Sequence, residues 1–188
     1  MSNANLGDPQ PWTVLQTKYL FRKPPWLTMR QDRVQLPGGG IVEEYYVWEY
    51  PTWINVIAVT KERRVVLIRQ YRYALGQVHY EIPAGVTDAG DGGLEAAARR
   101  ELLEETGFGG GRWQPWMTLS ANPALQTNLT QTFLATEVEQ LQPPNLETTE
   151  EITVHLVAIE EVKRIILAGE MVQALHAAPL LKFLLTQL

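Results

Sequence analysis

The segment Leu94–Thr106 constrains the fold most strongly, because its residues predict a helix with one apolar face. It is rich in alanine, contains no proline or glycine, and places Leu94, Ala98 and Leu102 on the same side. Gly107 follows directly, and glycine readily adopts the left-handed conformation found just past helix ends. We therefore expect a helix with these bounds.

Three carboxylates occupy the last two turns of this predicted helix: Glu101, Glu104 and Glu105. Unpaired carbonyl groups make that end negative, so each acid costs about 0.3–1 kcal/mol, and like charges four residues apart cost about 0.2–0.5 kcal/mol more. A bound divalent cation would reverse these penalties. Carboxylates without cysteine or histidine form an oxygen-only site that suits Mg²⁺, or Mn²⁺ as a substitute. A solvated acidic face with Arg100 paired to Glu104 explains the same residues equally well.

A longer pattern surrounds these acids. The run from Arg100 to Phe108, Arg-Glu-Leu-Leu-Glu-Glu-Thr-Gly-Phe, resembles the second half of the Nudix signature. The first half begins at Gly85 but differs from the family, because Asp91 replaces a glutamate and one extra residue precedes Arg100. The insertion falls in a glycine-rich loop, where added length costs little. Since the helical acids keep their spacing, the resemblance implies that the metal site is retained.

Two other segments narrow the resemblance to one branch of the family. Val65–Arg72 and Glu81–Gly85 are similar to the ADP-ribose and nucleotide-sugar pyrophosphatases. The branch that removes nucleoside triphosphates usually carries Phe-Pro-Gly-Gly before the signature, whereas this chain has Ile-Pro-Ala-Gly. The resemblance implies hydrolysis of a pyrophosphate bond, with ADP-ribose cleaved to AMP and ribose 5-phosphate. Other nucleotide sugars, dinucleoside polyphosphates, or a Nudix-fold nucleotide-binding module without catalysis are the alternatives.

The resemblance also implies the fold class, which is α+β. We expect a Nudix-type α/β/α sandwich with a mixed sheet in residues 51–188. Residues 1–50 are expected to form a small N-terminal antiparallel sheet, which in this branch contributes to a homodimer interface and to substrate contacts. A homodimer is therefore expected.

Alternating apolar residues and proline or glycine turns predict the individual elements. Strands are expected at Trp12–Tyr19, Leu27–Leu36, Ile41–Tyr50, Trp53–Thr60, Val65–Tyr71, His79–Ile82, Trp113–Ser120, Gln131–Val138 and Ile152–Ile159. A loop is expected from Ala84 to Gly93, and a flexible glycine segment after the main helix. Two C-terminal helices are expected at Ile159–Ala168 and Glu170–Gln187.

Composition excludes several classes of protein. A length of 188 residues with 45% hydrophobic and 20% charged residues is typical of one soluble domain. No apolar run is long enough to span a membrane, and the polar segment Met1–Gln10 is not typical of a signal peptide. The net charge of −5 argues against general nucleic-acid binding. Because the chain has no cysteine, disulfides and thiolate metal sites are excluded, and a cytoplasmic location is the simplest expectation.

The resemblance assigns roles to the signature residues. Glu101 and Glu105 are expected to be the principal Mg²⁺ ligands, and the carbonyl group of Ala84 to complete the site. Glu104 would be a third ligand or would support the other two, and Arg100 belongs to the same catalytic group. Metal at this position would neutralise phosphate oxygens and lower the pKa of a coordinated water.

The general base is not identified by the signature. ADP-ribose enzymes often use a glutamate on the loop after it, but the matching loop here, Ser120–Asn128, contains no acid. A signature glutamate, an acid in the segment around Glu150 and Glu151, or unassisted metal-bound water are the possibilities. We take Glu150 as the candidate, against the alternative that this segment is an acidic solvated loop.

Three further side chains are candidates for substrate binding. A guanidinium group matches phosphate oxygens, so Arg72 is expected to contact a phosphate rather than to be a surface arginine. Glu81 could orient substrate or Arg72, and an ion pair at a strand end is equally possible. Trp48 could stack on a base, although aromatic residues in strands more often belong to a core. The histidines show no ligand spacing and are interpreted as structural.

Overall fold

The computed structural model describes residues 7–186, which contain eleven strands and three helices. The strands are β1 (Thr13–Lys23), β2 (Leu27–Gln35), β3 (Ile41–Glu49), β4 (Trp53–Thr60), β5 (Arg64–Arg72), β6 (Gln77–Glu81), β7 (Ala84–Val86), β8 (Phe108–Gly109), β9 (Arg112–Leu119), β10 (Thr130–Gln140) and β11 (Ile152–Ala158). The helices are α1 (Leu94–Thr106), α2 (Ile159–Leu167) and α3 (Ala174–Thr186). Across residues 7–186, no helix has both the length and the apolar character that crossing a membrane requires.

The first three strands form an antiparallel sheet in the order β1-β2-β3, as the sequence predicts. This sheet belongs to a compact unit that contains the described residues through Tyr50 together with Asn122–Thr127. β1 continues to Lys23, four residues beyond its predicted end, and all of its residues are exposed. Its apolar side chains therefore gain little from burial within this sheet.

The second unit, Pro51–Ala121 with the residues from Asn128 onward, contains a mixed sheet. Its central path runs β11-β5-β4-β10-β8, while β6 pairs with β5, β7 with β4, and β9 with β10. β4 and β10 are parallel, and the other pairs are antiparallel. α1 lies between these two parallel strands in the chain, as a parallel crossover requires.

Alternate residues of β4 pack on opposite faces of the sheet. Ile54 and Val56 pack in the cluster that contains Leu102 of α1. Ile57 packs in the other cluster, with apolar residues of α2 and α3 such as Leu180. Helices therefore cover both faces, which confirms the predicted α/β/α sandwich.

The structure corrects the predicted start of the last helix. α3 begins at Ala174 rather than at Glu170, because Glu170 accepts a backbone hydrogen bond of 3.0 Å from Tyr80 of β6. The side chain of Glu170 is also held, at 2.6 Å, by Arg164. These contacts hold Glu170 beside β6 and outside the helix. Gln187, which the prediction includes in the helix, lies outside the described residues.

Two short strands replace predicted irregular segments. Ala84–Val86 pairs with β4 instead of forming the start of a loop, and Phe108–Gly109 pairs with β10 directly after α1. Segments of two or three residues carry too little alternation for a sequence pattern to reveal them.

A proline inside α3 explains why a buried side chain of β4 is hydrogen-bonded to the backbone of that helix. Pro179 has no N–H group, so the Leu175 carbonyl four residues earlier lacks its helical donor. The side-chain nitrogen of Asn55, a fully buried residue of β4, donates to that carbonyl at 2.9 Å. Asn55 therefore replaces the missing helical donor and ties α3 to the sheet.

We predict that this replacement is measurable by a double-mutant cycle. Asn55→Leu should lower the free energy of unfolding by about 1–3 kcal/mol, because it leaves a buried carbonyl unsatisfied. In the Pro179→Ala background the same change should cost less, since the alanine N–H can bond to Leu175. Urea unfolding of the four proteins measures the coupling. Equal costs in both backgrounds would contradict this explanation.

Candidate active site

α1 begins and ends at the residues predicted from its sequence, so the acidic cluster lies in its last two turns. Gly107 ends the helix with φ of 75°, and its N–H donates to the Leu103 carbonyl at 2.8 Å. A Cβ atom at this glycine would lie 2.0 Å from the carbonyl oxygen of Gln142. Both the backbone conformation and the close neighbour therefore require glycine here.

The short strand β7 lies against two of the three acids. The Glu105 carboxylate accepts a hydrogen bond of 3.0 Å from the backbone N–H of Ala84, and the residue is only 5% exposed. The Glu101 carboxylate packs against Gly85, where a Cβ atom would lie 2.2 Å from its carboxyl carbon. The absence of a side chain at Gly85 is what makes room for Glu101.

When no cation is bound, burial disfavours the charged form of the Glu101 and Glu105 carboxylates. It raises the pKa of Glu105 well above its ordinary value, and the Ala84 N–H only partly opposes this. Burial also raises the pKa of Glu101, against the lowering effect of Arg100. The negative charge of Glu150 adds to both shifts. A positive charge beside Glu101 and Glu105 would relieve all of these costs.

Arg100 connects the acids to the preceding loop. Its guanidinium donates to Glu101 at 2.9 Å and to Glu104 at 3.0 Å, and also to the Val86 carbonyl at 3.1 Å. Two further hydrogen bonds, of 3.1 and 3.2 Å, go to the two carboxylate oxygens of Asp91. Asp91 therefore reaches Arg100 despite its short side chain, and these contacts raise the pKa of Arg100, those with Asp91 most.

The donor set suits a hard divalent cation, although it is not preassembled as a cage. Across residues 7–186, no three acidic or histidine side chains converge into a metal-binding group in this conformation. Glu104 is 42% exposed and is turned toward Arg100, which accounts for the missing third carboxylate. Glu101 and Glu105, one helical turn apart on α1, nevertheless offer two carboxylate ligands, which are the oxygen donors that Mg²⁺ or Mn²⁺ prefers.

A second charged group lies at the end of β5. Arg72 donates to both oxygens of the buried Glu81 carboxylate, at 2.7 and 2.5 Å. Its remaining nitrogen, Nη1, has no acceptor in the described part of the chain and lies on a side chain that is 44% exposed. The structure contains the ion pair between Glu81 and Arg72, and the role of Glu81 toward substrate stays a prediction.

His176 of α3 lies behind this pair. Its Nδ1 is 3.5 Å from Glu81, and burial lowers the pKa of His176 to about 4, so the ring is neutral at physiological pH.

The remaining two candidates differ in position. Glu150 accepts a hydrogen bond of 3.0 Å from the backbone N–H of Glu147, and its charge affects the pKa values of Glu101, Glu105 and Arg72. Trp48 lies in β3 of the first unit, partly buried, where its backbone is hydrogen-bonded to Leu125 and Thr127. The assignments of Glu150 as base and Trp48 as substrate contact stay predictions.

Sequence reasoning missed the polar wall of a cavity that opens beside Arg72. The cavity has a volume of about 480 Å³ and is lined by Asn55, Thr130 and His176, among others. The one available signal was Asn55, a polar residue in the otherwise apolar strand β4. Thr130 could not be distinguished from an ordinary β-branched strand residue.

Comparison with known proteins agrees with this geometry. Residues 50–177 match the family model described as "NUDIX domain", and residues 12–48 match "Nucleoside diphosphate sugar hydrolase N-terminal domain". The ADP-ribose pyrophosphatase of Mycobacterium tuberculosis (strain H37Rv) is 30% identical over 81% of this chain and 74% of its own. The ADP-ribose pyrophosphatase of Bacillus subtilis (strain 168) is 30% identical over 76% of this chain and 77% of its own.

A solved structure extends the comparison to the whole fold. The crystal structure of an ADP compounds hydrolase superposes with a TM-score of 0.79, at 20% identity, over 96% of this chain and 95% of that one. This likeness shows the fold, while the domain match and the two relatives show the family. The chain belongs to the Nudix family, with the N-terminal domain typical of its nucleoside diphosphate sugar hydrolases.

Proposed function

We propose that this protein hydrolyses the pyrophosphate bond of a nucleoside diphosphate linked to another group, using Mg²⁺, or Mn²⁺ as a substitute. ADP-ribose is the best candidate substrate, and its products would be AMP and ribose 5-phosphate. The observation that carries the proposal is the pair of carboxylates Glu101 and Glu105, both held against β7, together with the free guanidinium nitrogen of Arg72 in the same unit. The relatives named as ADP-ribose pyrophosphatases favour this substrate.

Each acid of the cluster has a role in this proposal. Glu101 and Glu105 would hold the cation together with the Ala84 carbonyl group, and Glu104 would join them or support them. A bound divalent cation would neutralise phosphate oxygens and lower the pKa of a coordinated water. Arg100 would bridge Glu101 and Glu104 and tie the preceding loop to the helix through Asp91.

Arg72 and Glu150 would act on the substrate and the water. Glu81 occupies two guanidinium nitrogens of Arg72, so Nη1 is left to bind a phosphate oxygen in a fixed orientation. Glu150 would accept the proton of the attacking water, since its charge already influences Glu101 and Glu105.

Trp48 would stack on the base of the nucleotide. The exposed apolar side chains of β1, such as Val14 and Phe21, favour a second copy of the chain as their partner, giving a homodimer in the cytoplasm. Sedimentation velocity of the purified protein tests this assembly, and a monomer at micromolar concentration would refute it.

The test of function is a panel of diphosphates with Mg²⁺, with Mn²⁺, and with a chelator. We expect turnover of ADP-ribose with release of AMP and ribose 5-phosphate, identified by chromatography, and none with the chelator. Greater kcat/KM for another nucleotide sugar or a dinucleoside polyphosphate would replace ADP-ribose as the substrate. A folded, metal-supplied protein that cleaves no member of the panel would favour a nucleotide-binding module instead.

A further inference from the structure

The cavity beside Arg72 contains polar groups that the proposed chemistry does not use. Its walls combine the apolar side chains of Leu75 and Val172 with three buried polar residues from β4, β10 and α3. A volume of about 480 Å³ is within the range of small-molecule sites. The polar groups, rather than the volume, indicate what the cavity could bind.

The hydrogen bond between Asn55 and α3 determines the orientation of the Asn55 side-chain amide. Its amide nitrogen donates to the Leu175 carbonyl, so its Oδ1 must point the other way and can only accept. Asn55 is fully buried, and this oxygen has no hydrogen-bond partner within residues 7–186. A buried acceptor of this kind requires a donor, because leaving it unpaired is costly.

Thr130 lies on the same face of the sheet as Asn55. In the parallel register of β4 and β10, Thr130 is opposite Trp53 and Thr132 is opposite Asn55, so the four side chains share one face. Thr130 is 3% exposed, and its hydroxyl has no hydrogen-bond partner in the part of the chain that is described. Of the two threonines, only Thr130 lines the cavity.

The cavity shares lining residues with the proposed metal and phosphate site. Ala84 and Gly85 line it, and these same residues contact the carboxylates of Glu105 and Glu101. Arg72 also lines it. A diphosphate bound at the acids and Arg72 would therefore extend one of its two end groups into the cavity.

We propose that this cavity binds the hydroxyl groups of the non-nucleotide sugar, with Asn55, Thr130 and His176 as its hydrogen-bonding residues. The proposal rests on the proposed pyrophosphatase function and specifies its substrate class as a sugar joined through a diphosphate. A sugar hydroxyl both donates and accepts, so it can pair with the acceptor of Asn55 and the hydroxyl of Thr130.

Charge supports a neutral ligand group in the cavity. Glu81 is already neutralised by Arg72, and His176 is uncharged at physiological pH. The apolar side chains suit the C–H face of a sugar ring. The anionic half of the substrate would remain at Arg72 and the acids.

Thr130→Val is the test variant, and Thr132→Val is its matched control. Both threonines are buried on β10, both hydroxyls lack partners within residues 7–186, and both changes are nearly isosteric. Because no protein hydrogen bond is broken, neither change should lower Tm. Only the first removes a group from the cavity.

Steady-state hydrolysis and calorimetric binding of each product, both with Mg²⁺, are the measurements. Thr130→Val should lower kcat/KM for ADP-ribose and weaken ribose 5-phosphate binding by roughly 3- to 10-fold, the loss of one neutral hydrogen bond. AMP binding should be unchanged, and Thr132→Val should match wild type throughout.

Weaker binding of AMP rather than of ribose 5-phosphate would overturn the proposal, because the nucleotide half would then occupy the cavity. Identical behaviour of the two variants would also overturn it. A wild-type protein that binds ribose 5-phosphate through Thr130 but cleaves no diphosphate would refute the proposed hydrolysis and support the sugar site.

Discussion

Glu105→Gln is expected to lower kcat by more than about 100-fold, beyond the 10- to 100-fold typical of losing a residue that only supports a metal ligand. The change removes the charge of a buried oxygen ligand and keeps the shape of the side chain. The carbonyl oxygen of glutamine can still accept the hydrogen bond from Ala84, so the fold should be retained. Hydrolysis at saturating Mg²⁺ and calorimetric Mg²⁺ binding measure the two effects.

Glu95→Gln is the matched control on the same helix. Glu95 lies in the first turn of α1, in an exposed ion pair with Arg99, so its loss should leave kcat within about twofold of wild type. Wild-type turnover by Glu105→Gln would show that the cation site is elsewhere.

The pH dependence of stability gives Glu105→Gln a second signature. Burial raises the pKa of Glu105 in the folded state, so its stabilising contribution is complete below the unfolded value of about 4.5 and is lost as the pH rises through the folded value. Without metal, the Tm of the variant relative to wild type should therefore increase as the pH rises above about 5. Saturating Mg²⁺ should remove this advantage by stabilising the wild-type carboxylate.

Gly85→Ala should lower kcat/KM by about 10- to 100-fold, the effect typical of disturbing a metal ligand through its support. The new methyl carbon would lie only 2.2 Å from the carboxyl carbon of Glu101, which is too close for the Glu101 side chain to stay where it is. Since a flexible side chain rather than backbone must move, the protein should fold, but Glu101 can no longer lie beside Glu105. Mg²⁺ affinity should fall in parallel with activity.

Gly90→Ala is the control for backbone effects in the same loop, because a Cβ atom there meets no atom within 4 Å. It should keep wild-type activity. An equal loss of activity in both alanine variants would show that restricting the loop backbone, rather than displacing Glu101, lowers activity. Full activity of Gly85→Ala would show that Glu101 need not occupy its observed position.

The main helix and its acids were predictable because their signals are local. Periodicity, absence of glycine and proline, and the terminal Gly107 together define α1 to the residue. Pairings between distant segments were not predictable. The start of α3 depends on a hydrogen bond from Tyr80 to Glu170, and no local pattern in either segment specifies it.

The same distinction applies to the site. The sequence indicates which acids share a helix face, but not that Arg100 binds Glu104 and Asp91 together. The role of Asn55 could not be predicted from local patterns either. Its amide nitrogen replaces the backbone N–H that Pro179 lacks, and Pro179 lies in a helix more than a hundred positions later in the chain.

The contacts of Arg100 explain how this chain can differ from the Nudix signature at Asp91 and in loop length and still keep the acidic cluster of α1. A guanidinium, rather than continuous backbone, bridges the variable loop and the helix, so loop length and the reach of the acid at position 91 can compensate for each other. We expect that the additional residue lets the backbone at position 91 approach Arg100, so that aspartate spans what glutamate spans elsewhere in the family. Insertions in this loop should therefore be inherited together with shortened acids, as a covarying pair that leaves the chemistry of the helix unchanged.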